Sequence, residues 1–259
     1  MFDSLIQEIS LWPQVEAIAL GGSRAGTHFD EKSDYDVYLH CTGPVSEAVR
    51  REVLGRFCSY MEIGNHFWEY EDNCTLHSGV DIDILYRDLD DFVQGLVDVV
   101  ECHNPHNGYT TCMWHNLRTC RILVDKSGRL TDAKRRFDIP YPDALRRNII
   151  LRNDQLLEGT MPAYTLQISK ALKRGDLVSV NHRTAAYLES YFDILFALNR
   201  LTHPGEKRLI QLCEDTCSLL PADFRDNLNA LFSHMFVDPE AASDDLRRIT
   251  SEIRKLYDF

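Results

Sequence analysis

The alternation of hydrophobic and polar positions changes rhythm partway along the chain. In the first half, runs with a period of two alternate with runs of helical spacing. Glu16 to Leu20 (EAIAL) predicts a strand running into the Gly21-Gly22 turn, and Tyr35 to Cys41 (YDVYLHC) predicts a second strand. Val45 to Met61 predicts a helix, with Val49, Val53, Leu54 and Phe57 on one stripe. Phe67 to Glu71 predicts a strand, and the strictly alternating Val80 to Tyr86 (VDIDILY) predicts another. Asp88 to Val100 predicts a helix whose acids lie in its first turn, where the dipole favours negative charge. Tyr109 to Arg118 predicts a further helix, and Arg121 to Val124 a short strand stopped by the turn sequence Asp125 to Gly128 (DKSG).

From about Pro140 the period-two runs vanish. Asp143 to Leu157, Ala163 to Arg174, Leu177 to Leu201, Gly205 to Leu220, Ala222 to Phe236 and Pro239 to Tyr257 all carry helical spacing, and prolines punctuate them near helix starts. The expected fold class is α+β: a small mixed β-sheet flanked by helices over residues 1–138, then an all-helical domain over 139–259. The junction falls between Phe137 and Pro142.

Composition narrows the functional classes. A chain of 259 residues that is 44% hydrophobic can bury a sizeable core. With 28 Lys plus Arg against 40 Asp plus Glu, its net charge of -12 repels a nucleic-acid backbone and attracts a cationic small molecule. The first residues lack a basic stretch followed by an apolar run, and no apolar stretch approaches the ~20 residues of a membrane span. Eight cysteines occur in no CxxC pair, so a reduced, cytoplasmic protein without a membrane segment is expected. Cys213 and Cys217 share a helix face as core residues.

The chemistry concentrates in GGSRAGTHFDEKSDYDV, which begins at Gly21. A strand ends in Gly21 and Gly22, which let a phosphate approach the backbone with no Cβ in the way. Ser23 adds a hydroxyl, and the start of a short helix adds free amides. Asp34 and Asp36 then lie two apart at the start of a strand, so both point to one face. Two such carboxylates repel each other unless a cation sits between them, and magnesium suits oxygen ligands. Asp81 and Asp83 share a face of the later strand, and either could supply a third carboxylate. Each piece alone is an ordinary turn or polar strand edge; their order along the chain is what points to a site.

GGSRAG followed by SDYDV resembles the signature of the DNA polymerase beta-like nucleotidyltransferase superfamily, which includes antibiotic and minimal nucleotidyltransferases. The matching residues span 16 to 86, and the helical half is similar to the C-terminal domain of one bacterial branch. The resemblance implies transfer of a nucleoside monophosphate, with AMP from ATP the expected case, and release of pyrophosphate. It implies two magnesium ions on Asp34, Asp36 and Asp83, with Asp81 kept as the alternative third carboxylate. Gly21, Gly22, Ser23 and Arg24 would contact the triphosphate; Arg24 could instead pair with Asp30 or Glu31. Lys207, expected in the first turn of a helix where its charge opposes the dipole, would face the same phosphates.

Other segments are less specific. The scatter from Cys102 to His115 fits no tetrahedral zinc spacing, and His103, His106 and Tyr109 are expected to line a cleft or cap a helix. Trp68, Trp114, Tyr187 and Tyr191 could stack on a base, although aromatics at helical spacing usually build a core. The expected acceptor is the hydroxyl of a small molecule, with a cationic, antibiotic-like one favoured by the charge. AMP transfer to a protein and a non-catalytic nucleotide sensor are the alternatives. Arg200 and His203 are too close to match the spacing of a fused helical toxin. A homodimer is compatible with all of these readings.

Overall fold

The computed structural model describes residues 1–26, 33–67 and 69–257. Strands β1 (Val15–Leu20), β2 (Tyr35–Cys41), β3 (Cys58–Asn65), β4 (Glu71–Leu76), β5 (Asp81–Asp88) and β6 (Arg121–Asp125) form one mixed sheet in the order β3-β4-β5-β2-β1-β6. Only β2 and β5 pair in parallel; the other neighbours are antiparallel. The fold is α+β, a sheet with flanking helices plus further helices.

One face of the sheet is the core of this unit. Ile18, Leu20, Val37, Leu39, Ile82 and Ile84 pack with Leu5, Ile6 and Ile9 of α1 (Phe2–Ser10) and with Val53 and Leu54 of α3 (Glu47–Leu54). These side chains alternate along each strand with residues of the opposite face, as the pleat requires. An ion pair is buried near the sheet edge. Arg50 of α3 pairs with Asp72 of β4, whose carboxylate also accepts from Gly64 N–H at 2.8 Å and Tyr86 OH at 2.7 Å. Tyr70 completes the cluster through its hydroxyl contact with Arg50.

The expected helix from Val45 to Met61 is half right. It ends at Gly55, and the following residues form β3, with Met61 opposite Cys74. Val49 accordingly faces solvent, 39% exposed, instead of joining the stripe of Val53 and Leu54. The strand expected at Phe67 to Glu71 begins only at Glu71. Its sequence, EDNCTL, hides it, because Asp72 is buried by ion pairing rather than by apolarity. The helix expected from Asp88 is α4 (Leu89–Leu96), capped by the Asp88 carboxylate accepting from the amides of Asp90 and Asp91, and it runs into a π-helical turn at Val97–Glu101.

The chain divides into two compact units, Met1–Val97 with Asn116–Ile139, and Asp98–His115 with Pro140–Phe259. The division after Ile139 lies close to the expected junction, but Asp98–His115 belongs with the helices. Helix α5 (Cys112–Thr119) contains one of the crossings between units. The first unit ends with α6 (Arg129–Arg136), which the sequence pattern missed.

In the helical unit, α7 (Asp143–Asp154), α8 (Tyr164–Arg174), α10 (Leu209–Thr216), α11 (Phe224–His234) and α12 (Pro239–Arg254) accompany α9 (Leu177–Leu198), whose residues from Ser190 onward are all buried. Asp193 lies within that buried run. It accepts from the Thr110 backbone amide at 3.1 Å, the Thr110 hydroxyl at 2.6 Å and the Asn153 amide at 3.1 Å, tying the Asp98–His115 segment to α7 and α9. Trp114, Tyr187 and Tyr191 are fully buried, so they build this core and offer no face to a base. Trp68 lies outside the described residues. No helix among the described residues is long and apolar enough to cross a membrane.

Two stability measurements follow. Replacing Arg50 with Met leaves Asp72 charged and buried without its cation, and urea unfolding should show a loss of about 3–5 kcal/mol. Burial pushes the Asp193 carboxyl up to about 7. The folded chain therefore holds this proton more tightly than the unfolded chain. The contribution is complete below the unfolded value and is lost as pH rises through about 7. Unfolding free energies compared between wild type and Asp193→Asn should show a difference that falls between pH ~4 and ~7, by a few kcal/mol. A flat difference would contradict it.

Candidate metal centre and adjoining cavity

Parallel pairing of β2 with β5 sets Asp36 directly beside Asp83. Asp34 lies just ahead of β2, two residues before Asp36. The structure thus brings together Asp34, Asp36 and Asp83, each offering one carboxylate oxygen, with these oxygens all within 4.8 Å of one another. The three groups are neither buried nor fully exposed. At such a separation each charged pair is repelled by roughly 3 kcal/mol at an effective dielectric constant of ~20. Three carboxylates at this spacing could hold a small hard cation, and magnesium fits an all-oxygen donor set with positions left for water or phosphate. Asp81 is not in the group. It is exposed, and its carboxylate accepts from the Thr75 hydroxyl at 2.8 Å.

The Gly-Gly turn is shaped around this cluster. Gly21 follows β1, and its amide donates to the Asp36 carbonyl at 2.8 Å. A Cβ on Gly21 would lie 2.3 Å from the Tyr38 ring. Gly22 has a φ of +58°, and a Cβ there would stand 1.7 Å from Asp36 Oδ2. The second glycine therefore meets two demands at once, a left-handed backbone and contact with a carboxylate of the cluster. Gly22 opens the short helix α2 (Gly22–Ala25), on which Ser23 is exposed. Arg24 donates from Nε to the Ser33 carbonyl at 2.6 Å and lies over the Tyr35 ring, 4.1 Å from its centroid. Phe2 stacks on the same ring at 4.0 Å. These contacts fix α2 to the start of β2. Asp30 and Glu31, its other expected partners, lie outside the described residues.

Lys207 stands differently from expectation. The helix predicted from Gly205 starts at Leu209, behind an Arg208 cap in the left-handed region. Lys207 is exposed in the turn ahead of it, so no opposing helix dipole acts on its charge as a first-turn residue. It belongs to the helical unit. In the Cys102 to His115 segment, the backbone groups are engaged: the His103 carbonyl accepts from Asn148 and the His106 amide donates to Thr110. Among the described residues, the aspartate group is the one found with metal-ligand spacing.

Sequence reasoning missed what lies next to Asp83. Cross-strand register continues from Asp36 and Asp83 to Asn73 of β4 and Glu62 of β3, a row of polar side chains across the sheet. Asn73 Nδ2 donates to Asp83 at 2.7 Å. Asn65 Nδ2 donates to Asn73 Oδ1 at 2.7 Å and to Glu62 at 3.0 Å, and Tyr60 OH donates to Glu62 at 2.7 Å. This relay borders a cavity of about 650 Å³ lined by Glu62, Asn65, His66, Phe67, Glu71, Asn73 and Asp83. Burial, and then the Asp83 charge, raise the Glu71 carboxyl above the usual range, while the Asn73 amide acts in the opposite direction. The only signal for this surface was the polar alternation of EDNCTL, legible once β4 is known.

Residues 110–209 match a family described as a domain of unknown function (DUF4037). No curated protein matches the chain in sequence. Solved structures also resemble the chain. A nucleotidyltransferase-like protein from Exiguobacterium sibiricum 255-15 is 10% identical, with a TM-score of 0.43 over 99% of this chain and 74% of that one. An aminoglycoside 6-adenyltransferase from Bacillus subtilis is 10% identical, with a TM-score of 0.31 over 100% of this chain and 91% of that one. A CCA-adding enzyme in complex with ATP is 15% identical, with a TM-score of 0.31 over 98% and 68% respectively.

Proposed function

We propose that the protein transfers a nucleoside monophosphate, AMP in the expected case, from a magnesium-bound triphosphate to the hydroxyl of a small molecule. The observation that carries this reading is the convergence of Asp34, Asp36 and Asp83 beside a glycine turn. Asp34, Asp36 and Asp83 would hold two magnesium ions. Bound there, the metal supplies charge neutralisation of the phosphates and a lowered barrier to hydroxyl attack.

The chain's own groups account for the rest. Gly21, Gly22 and Ser23 leave a surface without bulky side chains, where backbone amides and one hydroxyl can meet phosphate oxygens. Arg24 is assigned as a cationic partner of the triphosphate. The acceptor oxygen forms a bond to the α-phosphorus as the bond from that phosphorus to the bridging oxygen breaks. The electron pair leaves with pyrophosphate, and the hydroxyl proton passes to a carboxylate of the cluster and then to solvent. Asn73, donating to Asp83, positions that carboxylate.

Two variants test the reading. Asp36→Asn should retain the fold by circular dichroism and lose pyrophosphate release from ATP and acceptor; turnover near that of wild type would sink the assignment. Asn73→Leu should weaken manganese binding, followed by electron paramagnetic resonance, by about 10–100-fold, as expected when a ligand-orienting hydrogen bond is lost. Unchanged manganese affinity would remove Asn73 from the centre.

A further inference from the structure

Gly21 is a glycine that its own backbone does not require. Its φ of -107° is one that any residue adopts, unlike the +58° of Gly22. What excludes a side chain there is Tyr38. A Cβ on Gly21 would stand 2.3 Å from Tyr38 Cε2 and 2.9 Å from both Cζ and the hydroxyl oxygen. The ring has room to reach the turn because β1 places only small residues beside it. Ala19 is paired with Tyr38 and Ala17 with His40, whereas the larger Ile18 and Leu20 belong to the core on the opposite face.

An ion pair from β5 braces the ring. The Arg87 guanidinium carbon lies 4.0 Å from the Tyr38 centroid. Arg87 donates from Nε and Nη2 to the two Glu69 carboxylate oxygens, at 2.7 and 2.6 Å. Only 8% of the Arg87 side chain is exposed. Withdrawing such a pair from water contributes little net stability compared with apolar packing of the same volume, so stability alone does not call for one here. A bidentate pair does fix the plane of the guanidinium, and with it the ring stacked against it.

Resting on the transfer reaction above, we infer that Tyr38 is a positioning residue for the triphosphate, with the Arg87–Glu69 pair as its brace. Asp36 and Tyr38 lie two apart on β2 and press against consecutive glycines, Asp36 against Gly22 and Tyr38 against Gly21. One strand therefore sets both a carboxylate of the metal group and the place of the turn that meets the phosphates. The distance between them follows from packed side chains rather than from the turn's own conformational freedom. Tyr38 acts through the Gly21 backbone, and Arg87 acts through Tyr38. Loss of the ring frees the turn, while the register of β2 with β5 keeps Asp36 beside Asp83.

The test uses the full chain and two readouts: calorimetry of a non-hydrolysable ATP analogue with magnesium, and manganese binding without nucleotide by electron paramagnetic resonance. Leucine lacks the three ring and hydroxyl atoms that meet Gly21. Tyr38→Leu should weaken the triphosphate about tenfold, the scale of loss when a supporting contact is removed, and leave manganese affinity unchanged. General loosening of the fold would lower both. Tyr38→Phe keeps the ring and should restore the wild-type affinity. Gly21→Ala should weaken the triphosphate by itself, and adding Tyr38→Leu should recover part of the loss, because the new Cβ then has room. Arg87→Met should act in the same direction as Tyr38→Leu and add nothing to it. Triphosphate affinity unchanged in Tyr38→Leu, a parallel loss of manganese, or additive losses in either double variant overturns the inference. The two readings fail separately. Absence of magnesium-dependent triphosphate binding by wild type sinks the transfer reaction and the positioning role with it, whereas triphosphate binding indifferent to Tyr38 sinks the positioning role alone.

Discussion

Like charges held close together need a counter-charge, and on this sheet that constraint governs everything near the end of β2. Asp34, Asp36 and Asp83 keep carboxylate oxygens within 4.8 Å of one another. A folded chain tolerates that arrangement when the backbone fixes the groups and a cation or water screens them. Both strands supply the fixing. Parallel pairing puts Asp36 and Asp83 at matched positions, and the Gly21 amide ties the turn to the Asp36 carbonyl. Gly22 then closes on the Asp36 carboxylate so tightly that no other residue would fit without moving it.

The opposite face explains how such a strained set of charges is carried. Val37, Ile82 and Ile84 alternate with the aspartates and are fully buried against the helices. The pleat therefore couples the core to the cluster: each apolar residue that anchors a strand sets the direction of the acid next to it. A one-residue slip of β5 against β2 would turn Asp83 into the core and Ile82 or Ile84 toward solvent. Such a slip costs far more than any rearrangement of the carboxylates, so the apolar packing sets the geometry and the acids follow.

That coupling also explains what could be read from the sequence. YDVYLHC and VDIDILY show their strands because one face is apolar and the other polar, and the same alternation displays Asp36, Asp81 and Asp83. Choosing between Asp81 and Asp83 by spacing alone was impossible, since both share a face; cross-strand register distinguishes them. EDNCTL stayed hidden because Asp72 is buried through Arg50 from a different helix, a partnership without a local signature. The end of the helix at Gly55 was missed for a related reason: Phe57 and Met61 continue the apolar spacing into β3, so the pattern persists while the backbone changes. The attachment of Asp98–His115 to the helices depends on Asp193 and Asn153, which lie far along the chain.

Asn73 sits where the polar row could most easily have become a continuous strip of acid. It stands in register between Asp83 and Glu62, and it donates to one while its oxygen accepts from the Asn65 amide that also serves the other. A carboxylate in that place would add a negative group against Asp83 and lose a donor that orients it. The neutral amide does the reverse: it satisfies one Asp83 oxygen and places a donor, instead of a further negative group, between Asp83 and Glu62 in the row.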